Sequence, residues 1–114
     1  MSVLSDKQWK HVQMVGRLIR FAGDHGWQLA WADAYRDERV KYGSPNSLHR
    51  SRLAVDLVLR VDGVVQEGKT PESIANWKVL GDYWKMIGGT WGGDFTGASA
   101  GDYNHFSLEH NGYK

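Results

Sequence analysis

Apolar residues recur at helical spacing from Trp9 through Val12, Val15, Leu18 and Ile19 to Ala22, which predicts a first helix. Ser5-Asp6-Lys7-Gln8 fits a capping box at its start, with Gln8 reaching back to the cap, and Gly23 to Gly26 ends the run. Trp27, Leu29 and Trp31 then alternate with Gln28, Ala30 and Ala32, the period of a strand. Residues 36–50 are charged and then carry Gly43-Ser44-Pro45-Asn46, so the expectation there is a long loop with at most one helical turn. Leu53, Val55, Leu57, Leu59 and Val61 alternate cleanly as a second strand, and Asp62-Gly63 matches a two-residue hairpin turn into Val64-Val65. Thr70-Pro71-Glu72 is a strong helix start: a hydroxyl cap, Pro at the first position and an acid in the first turn. Ile74, Trp77, Leu80, Trp84 and Ile87 supply its stripe, and Gly88-Gly89 stops it. A Gly-rich loop from Gly92 to Gly101 leads to a last strand, His105 to Glu109, with Phe106 and Leu108 on its inner face. This order of elements predicts an α+β fold: a small, mainly antiparallel sheet with helices packed on it.

Composition narrows the function classes. A chain of 114 residues suits one domain, residues 1–114, with a core that needs no staples. The 41% hydrophobic and 12% aromatic content argues against disorder. No apolar run approaches the ~18 residues of a membrane span, and the N-terminus does not read as a signal peptide. With zero Cys, disulfides, thiolate metal sites and a Cys nucleophile are excluded. The formal net charge of +1 gives no general case for nucleic acid as a partner. Charge is uneven: residues 1–60 carry 10 basic and 6 acidic groups, residues 61–114 carry 4 and 7. That asymmetry suits either a solvated face or a bias toward an anionic polymer.

The informative oddity is Asp56, set mid-strand among apolar residues. An unpaired carboxylate buried there would cost several kcal/mol or take up a proton. Arg60 and Asp62 share its face and favour a solvated or ion-paired acid; Ala54 and Val58 flank it and favour a partly buried ligand. His49 lies seven residues earlier, and His105 opens the last strand with Asp102 three residues before it. Two imidazoles and one carboxylate from separate strands form a common zinc donor set with one position open to water. A second carboxylate nearby could act as general base. His11 and His25 read as solvent-facing, His25 near a helix C-terminus, and His110 as a tail residue. Asp94 suits a cleft or a turn equally, whereas Trp91 and Phe95 read as packing residues. Tyr103 and Asn104 read as loop geometry. The glycines at 92, 93, 97 and 101 form no phosphate cradle, and there is no nucleophile elbow.

Ser47-Leu48-His49 followed by Ala54-Val55-Asp56 resembles the S-x-H-x6-D signature of the zinc D-alanyl-D-alanine carboxypeptidase and dipeptidase family. Trp91-Gly92-Gly93-Asp94-Phe95 and Asp102-Tyr103-Asn104-His105-Phe106 resemble that family's ending, and Tyr35-Arg36 its upstream Y-R. The resemblance spans residues 27–109 in the right order and is nearest to short phage endolysins of the L-alanyl-D-glutamate peptidase type. It implies a Hedgehog-like α+β fold with Zn2+ held by His49, Asp56 and His105. Asp102 matches the acid that activates water and protonates the leaving amine, and Arg36 the arginine that polarises the scissile carbonyl. Arg52 stands where many relatives have Gly, which bears on substrate choice.

The expected function is therefore a zinc peptidase cutting peptidoglycan stem peptides, a monomeric phage or prophage endolysin. It would be made in the host cytoplasm and act at the cell wall after release. A bacterial D,D-carboxypeptidase or dipeptidase is the related alternative. A non-catalytic wall-binding domain of the same fold is the alternative from another class, and it would have no need of Asp102.

Overall fold

The structure is a computed structural model that describes residues 3–33, 48 and 51–114. Helix α1 (Val3–Asp24) leads to β1 (Gln28–Asp33), β2 (Ala54–Val61) and β3 (Val64–Val65). Helix α2 (Pro71–Met86) follows, then β4 (Thr90–Trp91), two short 3-10 turns (Gly92–Asp94 and Gly97–Ser99) and β5 (His105–Ser107). The strands pair antiparallel in the order β1-β2-β5-β4, with β3 also on β2. This is the predicted α+β architecture. The expected loop over residues 36–50 lies almost wholly outside the described residues.

Strand β2 is the axis of the sheet. Val55, Leu57 and Leu59 are buried and join Met14, Leu18 and Ala22 of α1 and Trp77, Leu80 and Trp84 of α2 in one core. Because side chains alternate along a strand, Asp56, Val58 and Arg60 fall on the opposite face. The hairpin after β2 forms as expected: Asp62 and Gly63 both take positive φ, 51° and 79°, the pair of left-handed residues a two-residue turn of this type requires. Helix α2 is capped by Thr70, whose hydroxyl accepts from the Ser73 amide at 3.1 Å, with Pro71 next in line.

Helix α1 departs from expectation at two points. It begins at Val3, so Ser5 lies inside the helix, and Gln8 donates to the Ser51 carbonyl at 2.8 Å instead of reaching back to a cap. Its buried stripe is His11, Met14, Val15, Leu18 and Ala22, while Trp9, Val12 and Ile19 are exposed. His11 is thus a core residue, not a solvent-facing one. Its Nε2 lies 3.2 Å from the Phe106 carbonyl, and its ring meets Trp84 edge-on at 5.5 Å. An imidazole nitrogen directed at a strand carbonyl removes the cost of burying a polar ring. His25 is exposed at the C-terminal end of α1, where Nδ1 sits 2.9 Å from the Phe21 carbonyl.

Strand β5 is shorter than expected, ending at Ser107, yet Leu108 remains buried and its amide donates to the Leu53 carbonyl at 2.9 Å. Its partner β4, two residues long, carries too little pattern to be read from sequence. Trp84 is fully buried beneath this pair and donates from Nε1 to the Ser107 carbonyl at 3.0 Å.

Glycines in the two helices should respond oppositely to alanine. A Cβ at Gly81 would run into the buried Trp91 indole, whereas one at Gly16 meets nothing within 4 Å among the described residues. Gly81→Ala should lower unfolding stability by about 1–3 kcal/mol, and Gly16→Ala should raise it by about 0.5–1 kcal/mol. Denaturant titration of both variants beside the parent checks the pair.

Candidate active site

Asp56 and His105 are brought together by strand register. In the antiparallel β2–β5 pair Asp56 stands directly opposite His105, so both side chains leave the same face of the sheet. The His105 Nδ1 lies 3.5 Å from Asp56 Oδ1 and 3.8 Å from Asp102 Oδ2. Side-chain exposure rises from 8% at His105 through 21% at Asp56 to 42% at Asp102. The imidazole therefore sits at the floor of the site and Asp102 at its open rim. Asp56 is half-buried, between the two readings its sequence position allowed.

The chain around His105 is held from several sides. The His105 amide donates to the Asp102 carbonyl at 3.2 Å, closing the turn that places the two side chains together. The Leu57 amide donates to the Asn104 carbonyl at 3.0 Å, tying that turn to β2. Trp91 is buried and donates from Nε1 to the Tyr103 carbonyl at 2.7 Å, which confirms its packing role. Gly92 is needed for a different reason than turn-making: a Cβ there would collide with the Asp102 carbonyl and come within 2.7 Å of the His105 Cβ. The Trp91-Gly92-Gly93 segment thus lies directly against the turn that carries the site.

The neighbouring residues sort by contact. Phe95 is half-buried with its ring 5.3 Å from the His105 ring, so it packs on a site residue. Asp94 belongs to a 3-10 turn and pairs with Lys85 at 3.0 Å. That hydrogen bond raises the Lys85 ammonium above its usual pKa. His110 bridges to Tyr113 and lies 3.3 Å from Lys7 Nζ. Arg52 has a left-handed backbone, φ 58°, and lines a groove with His11, Val12 and Trp31 beside α1. A left-handed position favours glycine over a residue with a side chain.

The donor chemistry fits two zinc ligands. Ligands at ~2.0–2.1 Å from a tetrahedral zinc are separated by roughly 3.3–3.5 Å, and the Nδ1–Oδ1 distance is 3.5 Å. That distance is also long for a direct hydrogen bond. Among the described residues no three His, Cys, Asp or Glu side chains form a group able to hold a metal. His49, the expected third ligand, and Arg36, the expected carbonyl-binding group, both lie outside the described residues. Leu48 beside His49 is buried against Leu53 and Ala54, and its carbonyl accepts from the Leu53 amide at 2.8 Å.

Comparison with known proteins bears on the family and the fold. A family profile described as D-alanyl-D-alanine carboxypeptidase matches residues 41–108, a segment containing His49, Asp56, Asp102 and His105 but not Arg36. The crystal structure of Serratia marcescens L-Ala D-Glu endopeptidase ChiX is similar with a TM-score of 0.58 at 24% identity, over 96% of this chain and 89% of that one. No curated protein sequence matches the chain. ChiX establishes the shared fold, and the profile, spanning more than half the sequence and the residues of the site, establishes the lineage: the chain belongs to the D-alanyl-D-alanine carboxypeptidase family of peptidases.

Proposed function

We propose that the protein is a zinc peptidase that hydrolyses a peptide bond in peptidoglycan stem peptides, with residues 1–114 acting as one catalytic domain. The observation that carries this reading is the Asp56–His105 cross-strand pair, with Asp102 3.8 Å from the same imidazole nitrogen. In this reading His49, Asp56 and His105 hold one zinc ion. When bound, zinc would polarise the scissile carbonyl and lower the pKa of water toward ~7.

Asp102 stands at the exposed rim, within reach of solvent. It takes a proton from the attacking water as the new C–O bond forms, and returns it to the amine as the C–N bond breaks. His105, buried and fixed by the β2–β5 register, holds its nitrogen toward Asp56 while Asp102 works beside it. Arg36 is assigned to the oxyanion, for which a planar, permanently charged guanidinium is suited.

Two cleavage specificities remain in play. The name of the ChiX enzyme favours an L-Ala–D-Glu endopeptidase, and the description of the matching profile favours a D-alanyl-D-alanine carboxypeptidase. The motifs resemble short phage endolysins, which supports the first, a monomeric enzyme made in the host cytoplasm and acting at the wall. A non-catalytic wall-binding role is disfavoured by the rim position of Asp102, which a binding module does not require. Mass spectrometry of defined muropeptides, digested with and without a chelator, tests the proposal. It expects one bond cut, and the cutting abolished by chelation.

Asp56→Ala should lose both zinc and stability, read as metal stoichiometry after zinc loading together with the melting temperature. Asp102→Asn should keep zinc content and melting temperature near the parent while muropeptide cleavage falls by about 10²–10⁴. Persistent cleavage by that variant would mean that Asp102 only shapes its turn; loss of zinc would make it a ligand. Arg36→Lys keeps charge and removes the planar fork, and should cost about 10²–10³ in rate. Parent-like turnover would remove Arg36 from the mechanism.

A further inference from the structure

A second feature lies beside β2, where both Leu57 of the core face and Val58 of the Asp56 face reach it. Beyond the Asp102–His105 turn, a cleft of about 330 Å³ opens between that turn and the β3 segment. Val58, Val65, Trp77, Tyr103 and Asn104 contribute to its walls, and Glu67 supplies a carboxylate. Val58 is two residues along β2 from Asp56, a step of roughly 7 Å. Asn104 immediately precedes His105 in the chain. The cleft thus shares Tyr103 and Asn104 with the turn that carries Asp102 and His105.

Its walls are set before any ligand arrives. The Tyr103 ring lies so close to Gly68 that a Cβ there would come within 2.7 Å of Tyr103 Cδ2, and the Tyr103 carbonyl is held by Trp91. Trp77 donates from Nε1 to the Gln66 carbonyl at 2.8 Å, and Gln66 accepts from the Asn76 side chain at 3.0 Å. Among the described residues that line the cleft, Glu67 is the charged one. Glu67 pairs with Lys69 at 3.9 Å, and those side chains are 67% and 79% exposed. A pair that open to water contributes little and exchanges readily.

Resting on the peptidase reading above, we infer that this cleft is a specificity subsite for a substrate side chain bearing a primary ammonium group, with Glu67 as its counter-charge. An extended peptide places side chains on one face every ~7 Å. A substrate passing over the Asp102–His105 turn would therefore put such a side chain into the cleft about two residues from the bond cut at Asp56 and His105. The aliphatic stem would lie against Val58, Val65 and Trp77, and the ammonium would reach Glu67 at the rim, as long cationic side chains commonly pack.

The test uses two stem peptides identical except that one carries a free side-chain amine and the other its N-acetyl form. With the parent protein, acetylation should lower kcat/KM by about two- to fivefold, the range of a partly exposed ion pair. In Glu67→Gln the ratio of the two rates should fall toward one, and in Glu67→Lys it should invert. Melting temperatures near the parent would show that these surface variants still fold. Equal rates on both peptides with the parent, or an unchanged preference in both variants, would overturn the subsite while leaving the peptidase reading intact. Cleavage of neither peptide by the zinc-loaded parent would overturn the peptidase reading, and the subsite with it.

Discussion

The site depends on one register. Asp56 and His105 meet because β2 and β5 pair with Ala54 opposite Ser107 and Val55 opposite Phe106. A slip of one residue would send Asp56 into the core and Val55 outward. Such a slip is opposed by the burial of Val55, Leu57, Leu59 and Phe106, each worth about 1.5–3 kcal/mol when removed from water. The hydrophobic core therefore sets the chemistry: it holds the polar face of the sheet in place by fixing the apolar one.

The second support is close backbone packing at Trp91-Gly92-Gly93. The Trp91 indole fills the space a side chain would need at Gly81, and its Nε1 holds the Tyr103 carbonyl. Gly92 lets the chain run against the Asp102–His105 turn. Two strands only a few residues long are thereby held by close packing and a hydrogen bond as well as by their own ladder. The same turn forms a wall of the neighbouring cleft, so the position of Asp102 and the shape of the proposed subsite share one piece of backbone.

Much of this was legible in the residues, for identifiable reasons. The Asp62-Gly63 hairpin and the Thr70-Pro71 helix start are local, and local chemistry decides them. The strand alternation around Asp56 marked it as anomalous, and the paired motifs joined it to His105 across the sequence. What sequence left obscure is tertiary. Helix α1 carries two adjacent apolar stripes, and only packing decides that His11 and Met14 go inward while Trp9, Val12 and Ile19 stay out. Strand β4 is too short to carry a period, and the closeness of Phe95 to His105 depends on the fold of the glycine-rich loop. Glu67 has no sequence signal, because it becomes notable only once the hairpin is set beside the Asp102–His105 turn.

The central claim is that the Asp56–His105 pair is half of a zinc site and not a structural ion pair. Anomalous scattering at the zinc edge from crystals of the zinc-loaded protein tests it most directly. The account predicts one peak within about 2.0–2.2 Å of both His105 Nδ1 and an Asp56 carboxylate oxygen, with His49 completing the protein ligands. A zinc-loaded crystal with no peak between those two groups, or with His105 Nδ1 hydrogen-bonded directly to Asp56, would contradict it.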